Sequence, residues 1–260
     1  MLLSTCGKLR GRGALVGSYD GAMQRPGTVA IIAALPREIA AVVRGTKADA
    51  ALVKDGVWLY RADGAVFVAA GMGAERAAIA VEAALATGEA TMLVSAGLAG
   101  GCSAGIVAGS VIEANVVVDA RTGERFVSAA EPKGRSRSVT LASTESIASV
   151  REKARLAASY GAMLVDMEAA TVARLARATG LPFRAIKGVS DGYDFEMSSL
   201  AMFAGGHGSF RTGAFALHTA LRPWEWGKAI KLGRGSSRAL AGLEVALRQV
   251  IAEGEHSLGR

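Results

Sequence analysis

The sequence predicts an α/β fold: a single-domain, three-layer sandwich in which helices flank a mixed, largely parallel sheet. Two observations carry this prediction. Short apolar runs such as 29–35 and 65–70 have the continuous character of strands buried on both faces, and they alternate with helical segments. With 260 residues, 51% of them hydrophobic, the chain can bury a substantial core, which excludes intrinsic disorder. No apolar run reaches the roughly 18 residues of a membrane-spanning helix, so we expect no transmembrane segment.

The predicted elements follow one another as strand and helix. The first strand, 29–35, leads through Pro36 into a helix at 38–43. Asp55-Gly56 is a hairpin signal between short strands at 51–53 and 57–61. Further strands are predicted at 65–70, 91–95, 110–119, 162–165 and 181–189, and helices at 74–87, 167–179, 210–221 and 239–252; the basic stretch 133–138 is typical of a solvated loop. Such sheets bind ligands at the carboxyl ends of their strands, where the Gly-rich and acidic residues fall.

The net charge of +7 is concentrated at the two ends of the chain. Residues 1–25 and 222–260 each contribute +3, which leaves the middle nearly neutral. We therefore predict a flexible N-terminal extension (1–27), a catalytic domain (28–221) and a basic C-terminal tail with a helix (222–260), and no nucleic-acid partner. Met23 is an alternative first residue. Two cysteines supply no disulfide framework, which favours a cytoplasmic location.

Two glycine-rich segments follow predicted strands. Gly71-Met72-Gly73 lacks the third glycine of a dinucleotide fingerprint, and no P-loop motif occurs, so NAD-binding and P-loop proteins are both excluded. This segment is either a tight turn or a set of N–H groups that face a small anion. The stretch 97–101 holds three glycines in five residues, which indicates a loop whose backbone passes close to a ligand.

Three carboxyl groups are candidate acid and base residues. Glu38 follows the first strand, Glu168 lies where a strand becomes a helix, and Asp191 ends a later strand. An acidic residue at a helix start often only complements the helix dipole, and that explanation stays open for Glu168. A partly desolvated Asp191 suits a general acid. No histidine or cysteine cluster accompanies them, which argues for acid and base catalysis on a neutral polar substrate, without a metal.

These motifs occur in the order seen in a known family. The runs Val29–Ile39, Ala70–Gly73, Ser95–Gly101, Val165–Ala170 and Gly188–Asp191 resemble those of the purine nucleoside phosphorylase and methylthioadenosine/S-adenosylhomocysteine nucleosidase family. The resemblance covers about residues 28–221. It implies cleavage of the N-glycosidic bond of a purine nucleoside, with no cofactor, by a protein that forms a homo-oligomer such as a dimer.

The resemblance also implies roles for individual residues. Asp191 protonates N7 of the purine, Glu168 holds the ribose hydroxyls and Met167 packs on the sugar. Glu38 takes the position of the carboxylate that activates water in the nucleosidases. The other substrate contacts that we expect are Gly73, Gly97, Leu98, Ala99, Ser190 and Ile147.

Three alternatives stay open at this point. Arg37 lies one residue from Glu38, and an arginine there would bind phosphate and make the enzyme a phosphorylase. The basic tail, with its tryptophans, is typical of a segment that touches a membrane surface, and a few relatives act on adenosylated lipids such as hopanoids; the alternative is a terminal helix that packs on its own domain. Leu98 replaces a family serine, and the stretch 143–147 lacks the phenylalanine that covers the purine, which would suit a nucleoside-binding module without catalysis; the retention of Glu38, Glu168 and Asp191 together opposes this alternative.

Overall fold

The computed structural model describes residues 28–129, 138–196 and 226–256. The strands are β1 (Thr28–Ala33), β2 (Trp58–Ala62), β3 (Ala65–Ala69), β4 (Ala90–Gly101), β5 (Val111–Ala114), β6 (Val116–Asp119), β7 (Arg125–Val127), β8 (Thr140–Ser143), β9 (Leu164–Asp166) and β10 (Phe183–Asp191). The helices are α1 (Pro36–Ile39), α2 (Ala50–Val53), α3 (Ala74–Leu85), α4 (Val150–Tyr160), α5 (Ala169–Thr179) and α6 (Trp226–His256).

The strands of the described ranges form one mixed sheet, which confirms the predicted fold class. The order is β2-β3-β1-β4-β9-β8-β6-β7, and β10 pairs with both β4 and β5. The long strand β4 lies at the centre, parallel to β1 and β10 and antiparallel to β9. Because β1, β4 and β10 run in parallel, their carboxyl ends meet at one edge of the sheet.

Helices cover both faces of this sheet because successive side chains of each strand point to opposite sides. Ile32 of β1 belongs to a buried cluster with Val81 of α3 and with α5, whereas its neighbour Ile31 is buried with Leu243 and Leu247 of α6. Helix α4 packs beside β8. The continuous apolar run that predicted β1 is therefore the consequence of two packed faces.

The C-terminal helix is part of this fold. Predicted over 239–252 only, it runs from Trp226 to His256 and packs on β10, β1 and β4. Its small residues allow the approach to be close: a Cβ added at Gly188 of β10 would lie 3.0 Å from the Ala239 Cβ, and one at Gly242 would lie 2.7 Å from a Val111 methyl group. The described part of the predicted tail, α6, therefore packs on its own domain.

The predicted hairpin around Asp55-Gly56 is wrong. Residues 51–53 belong to helix α2 instead of a strand, because the Asp49 side chain accepts the Ala51 N–H at 3.0 Å and caps the helix. The hairpin instead connects β2 and β3 through the next Asp-Gly pair in the sequence, Asp63 and Gly64, which both have positive φ. Two consecutive positive φ angles are the requirement of a tight type I′ turn, which an Asp-Gly pair meets.

Other boundaries also differ from the predictions. The single strand predicted at 110–119 is two strands, β5 and β6, because the Asn115 side chain accepts the Val139 N–H at 2.8 Å and interrupts the run. The Gly-rich stretch 97–101 is the end of strand β4 instead of a loop. Strands β7 and β8 and helix α4 were not predicted, since the two strands have only three and four residues.

Some predictions lie outside the described residues. These are the N-terminal extension 1–27, the helix at 210–221 and residues 133–137 of the basic loop. Among the helices of the described ranges, none has both the length and the apolar character needed to cross a bilayer.

We predict that Gly235→Ala destabilises the fold. A Cβ at this position would lie 2.5 Å from the Ser190 carbonyl oxygen, so α6 would have to move away from β10. We expect the free energy of unfolding, measured by chemical denaturation, to fall by about 1 to 3 kcal/mol. Gly233→Ala on the same helix is the matched control, because a Cβ there meets nothing within 4 Å. The control should gain up to about 1 kcal/mol from its better helix propensity; equal effects of the two substitutions would contradict the prediction.

Candidate active site

A cavity of about 390 Å³ opens at the edge of the sheet where β1, β4, β9 and β10 end. Helix α6 closes one side of it. Of the ten site residues predicted from the sequence, eight line this cavity: Glu38, Leu98, Ala99, Ile147, Met167, Glu168, Ser190 and Asp191. The other two, Gly73 and Gly97, lie behind carboxylates that face the cavity. Residues that are far apart in the sequence therefore form one site.

Glu38 is held by backbone N–H groups. Its Oε2 accepts the N–H groups of Ala34 and Leu35 at 3.0 and 2.8 Å, and its Oε1 accepts the N–H of Leu98 at 2.9 Å. The Glu38 carboxyl group packs closely against β4 because residue 97 is a glycine. A Cβ at Gly97, where φ is +136°, would lie 3.0 to 3.1 Å from the Glu38 carboxyl atoms. A carboxylate has about four acceptor positions, so three donors leave one for a group in the cavity.

The neighbouring Arg37 lies on the outside. It is exposed at the rim of the cavity, whereas Glu38 is only 8% exposed. Proline at the first position of α1 starts the helix, and the short helix turns Glu38 inward. The carboxylate of this loop is therefore the buried group that faces the cavity.

Glu168 lies beneath the cavity beside a second acidic residue. Its Oε1 accepts the Gly73 N–H at 2.7 Å, so the anion that this glycine turn binds is one of the protein's own carboxylates. Burial and the nearby Asp166 carboxylate raise the pKa of Glu168 to about 7, against the lowering influence of Lys187 and of the Gly73 N–H. Near neutral pH this carboxyl exists in both forms, and it can either accept or donate a hydrogen bond.

Asp166 and Lys187 form a fully buried ion pair below Glu168. The Lys187 Nζ lies 2.9 Å from Asp166 Oδ2 and donates to Ser95 Oγ at 2.9 Å. Asp166 also accepts the Ser143 hydroxyl at 2.6 Å and the Ala169 N–H at 3.0 Å, which fixes the start of α5. Burial disfavours the charge on Lys187, but the carboxylates of Asp166 and Glu168 outweigh it and raise the lysine's pKa.

Asp191 forms a second buried ion pair, with Lys153 of α4. The Lys153 Nζ lies 2.5 Å from Asp191 Oδ2, and both side chains are 2% exposed. The Ser190 hydroxyl donates to Asp191 Oδ1 at 2.5 Å. Asp191 is buried, as the sequence predicted, and its carboxyl group is paired with the ammonium group of Lys153.

The sequence analysis missed the two lysines. Lys187 carried a usable signal, because a charged residue within the apolar run of β10 predicts a buried partner of opposite charge. Lys153 carried none, since a lysine on a helix of mixed polarity is ordinarily exposed. The cavity wall formed by Ala229, Leu232 and Leu240 was missed as well, because nothing in the sequence tells which residues the C-terminal helix faces.

Metal binding and cysteine nucleophilicity can be judged from the described residues. Within the described ranges no three His, Cys, Asp or Glu side chains lie together in a way that could hold a metal ion. Burial raises the pKa of the Cys102 thiol to about 12, which keeps it protonated and a poor nucleophile. His207 and His218 lie outside the described residues, as does the side chain of His256.

Residues 113–205 match the family model described as the phosphorylase superfamily. No curated protein sequence matches the chain.

Several solved structures are similar to this one. The 5'-methylthioadenosine/S-adenosyl homocysteine nucleosidase of Helicobacter pylori is 12% identical, with a TM-score of 0.64 over 88% of this chain and 100% of that one. Futalosine hydrolase of the same organism is 12% identical, with a TM-score of 0.62 over 88% and 98%. The Neisseria meningitidis 5'-methylthioadenosine/S-adenosylhomocysteine nucleosidase, in complex with methylthio-immucillin-A, is 19% identical, with a TM-score of 0.57 over 84% and 98%. At these identities the similarity establishes the fold.

We predict that Glu168 makes the stability of the protein depend on pH. Because its pKa is about 7 in the folded state and near the ordinary 4.5 in the unfolded state, the folded state binds the proton more tightly. Its contribution to stability is therefore full below about pH 4.5 and is lost as the pH rises through about 7. Between pH 5 and 8 the free energy of unfolding of the wild type should fall by up to about 3 kcal/mol relative to that of Glu168→Gln, as measured by urea denaturation at each pH. Glu75→Gln, which neutralises an exposed carboxyl, is the control, and an unchanged slope in Glu168→Gln would refute the prediction.

Proposed function

We propose that the protein is a purine nucleosidase of the phosphorylase superfamily, a proposal supported by the family-model match over residues 113–205 and by the similar folds of solved nucleosidases. It hydrolyses the N-glycosidic bond of an adenine nucleoside such as methylthioadenosine or S-adenosylhomocysteine and releases the base. The observation that carries the proposal is the convergence of Glu38, Glu168 and Asp191 on one cavity. Two of the similar structures are 5'-methylthioadenosine/S-adenosylhomocysteine nucleosidases, and a third is a futalosine hydrolase, which supports the proposal.

In this proposal each of the three carboxyl groups has a different role in the reaction. Asp191 delivers a proton to N7 of the purine, so that the base leaves as a neutral molecule. Glu168 hydrogen-bonds the ribose hydroxyls, with Met167 beside the sugar, and its negative form stabilises the positive charge that develops on the ring. Glu38 accepts a proton from the water that attacks C1′. The sugar takes the hydroxyl group and the base takes a proton, so the overall reaction is hydrolysis.

The position of Glu38 favours water over phosphate as the nucleophile. A buried carboxylate that faces the cavity repels a phosphate dianion, whereas its remaining acceptor position suits a water molecule. Arg37, which would favour phosphate, is exposed at the rim. The phosphorylase alternative is therefore the weaker one.

We expect the purified protein to release adenine from methylthioadenosine, S-adenosylhomocysteine or adenosine at a rate that phosphate does not change. Asp191→Asn and Glu38→Gln should each lower kcat by roughly 100-fold or more, because an amide can neither supply the proton nor accept one from water. Chromatographic measurement of free adenine in phosphate-free buffer, with and without added phosphate, checks both points.

Two other results would change the proposed function. Adenine release that requires phosphate and yields a ribose 1-phosphate would make the protein a phosphorylase. Tight binding of a nucleoside without turnover by the wild type would make it a binding module. Asp49→Asn, at a helix cap that is not part of the cavity lining, is the control for the two carboxyl variants and should keep wild-type kcat.

A second candidate substrate, an adenosylated lipid, is favoured by the wall that α6 supplies. Ala229, Leu232 and Leu240 give the cavity an apolar side. Trp226 and Ile230, which are 50% and 53% exposed, lie at helical spacing from this wall and continue it toward the start of α6. An apolar path of this kind suits a nucleoside whose 5′ substituent is a long hydrocarbon.

A series of 5′-alkylthioadenosines of increasing chain length tests this candidate. Each buried methylene contributes about 0.8 kcal/mol, so KM should fall severalfold for each carbon that the path covers. Leu232→Asn should flatten the dependence on chain length and leave methylthioadenosine unaffected, whereas Val245→Asn, on an exposed position of the same helix, should preserve it. A wild-type KM that does not depend on chain length would exclude the lipid substrate.

The proposal includes a cytoplasmic location and a homo-oligomer. The free, buried thiol of Cys102 is in keeping with a reducing compartment, and the oligomer, such as a dimer, is expected from the family resemblance. Cell fractionation tests the location, and sedimentation velocity of the purified protein tests the oligomeric state.

A further inference from the structure

The ammonium group of Lys153 is buried against the proposed acid, Asp191. Lys153 is 1% exposed and reaches the end of β10 from helix α4. Its Nζ donates to Asp191 Oδ2 at 2.5 Å, to the Gly192 carbonyl at 2.8 Å and to the Phe195 carbonyl at 3.1 Å. Three ammonium hydrogens thus meet three acceptors, so the charged form of the lysine is fully satisfied.

The central strand leaves space for this pair. A Cβ at Gly100 would lie 3.2 Å from the Lys153 Cε and 3.3 Å from Asp191 Oδ2. The glycine lets the lysine cross β4 to reach the aspartate. The pair therefore depends on a residue of the sheet as well as on its two members.

Asp191 has no proton of its own to give in this arrangement. Oδ2 receives the ammonium hydrogen, and Oδ1 receives the hydrogen of Ser190. Ser190 Oγ is also 3.2 Å from the Ala99 carbonyl, but its single hydrogen belongs with the acceptor at 2.5 Å. A carboxylate with donors at both oxygens cannot protonate a leaving group until it first takes a proton from a neighbour.

We propose that Lys153 is a positioning residue for Asp191 and the source of the proton that Asp191 passes to N7 of the leaving purine. The inference rests on the proposed nucleosidase function. As the C1′–N9 bond breaks, its electron pair goes to the purine, Asp191 delivers a proton to N7, and a proton moves from the Lys153 Nζ to Asp191. The attacking water gives its oxygen to C1′ and a proton to Glu38. Lys153 ends as a neutral amine and Glu38 as a neutral acid, and exchange with solvent restores both.

The test compares two leaving groups. Adenine must be protonated to leave well, whereas 4-nitrophenolate leaves from 4-nitrophenyl riboside without a proton. Lys153→Met should lower kcat for adenine release by roughly 100-fold or more, with KM changed by less than about threefold. The same variant should lower nitrophenolate release by less than about fivefold. Lys54→Met, which removes an exposed lysine, is the control and should change neither rate.

Two further variants keep the test decisive. Lys153→Gln keeps hydrogen-bond donors but has no proton to transfer, so it should show the same split between the two leaving groups even if Lys153→Met folds poorly. The double variant Lys153→Met, Asp191→Asn removes both charges. Its kcat for adenine release should be lowered by the same factor as that of Asp191→Asn alone, because the two groups act in one step.

The outcomes separate this inference from the proposed function. Equal reductions in kcat for adenine and nitrophenolate release would show that Lys153 only supports the fold. Full activity of Lys153→Gln would show that the proton comes from elsewhere. Either result overturns the inference. If the wild type releases no adenine from any nucleoside, the proposed function itself fails.

Discussion

A carboxylate that is taken out of water must receive hydrogen bonds or a positive charge, and the architecture around the cavity meets that requirement four times. Glu38 receives three backbone N–H groups and Glu168 two, from Gly73 and Met167. Asp166 receives the ammonium group of Lys187, and Asp191 receives that of Lys153. Apart from the N–H groups of Ala34, Leu35 and Met167, which are local, these donors are distant in the sequence from the carboxyl groups that they contact. Burial of these acidic side chains therefore depends on the assembled edge of the sheet.

Glycines make this assembly compact. Gly97 and Gly100 of β4 leave room for the Glu38 carboxyl and for the Lys153–Asp191 pair, and Gly235 lets α6 touch the backbone of Ser190. Helix α6 adds the apolar side chains of Ala229, Leu232 and Leu240 to the cavity lining, together with Ser236 and Ser237, and the strand ends contribute the carboxyl groups.

The three acidic residues of the site were predictable because each follows an apolar strand, and the carboxyl ends of parallel strands meet. The Gly71-Met72-Gly73 turn was correctly placed, and the anion that its N–H group binds is Glu168. The hairpin was misplaced because two Asp-Gly pairs compete at 55–56 and 63–64, and a helix cap at Asp49 decides between them. Lys153 could not have been found, since its partner lies 38 residues away on another element.

The sequence by itself determined the fold class, the alternation of strands and helices and the acidic character of the site, because apolar periodicity and strand ends are local features. Only the tertiary structure decided which residue of the Arg37-Glu38 pair faces inward, which charges are paired and that the C-terminal helix completes the cavity. The physical reason is that burial and pairing of charge depend on contacts across the sheet, and no local pattern records which segments will meet.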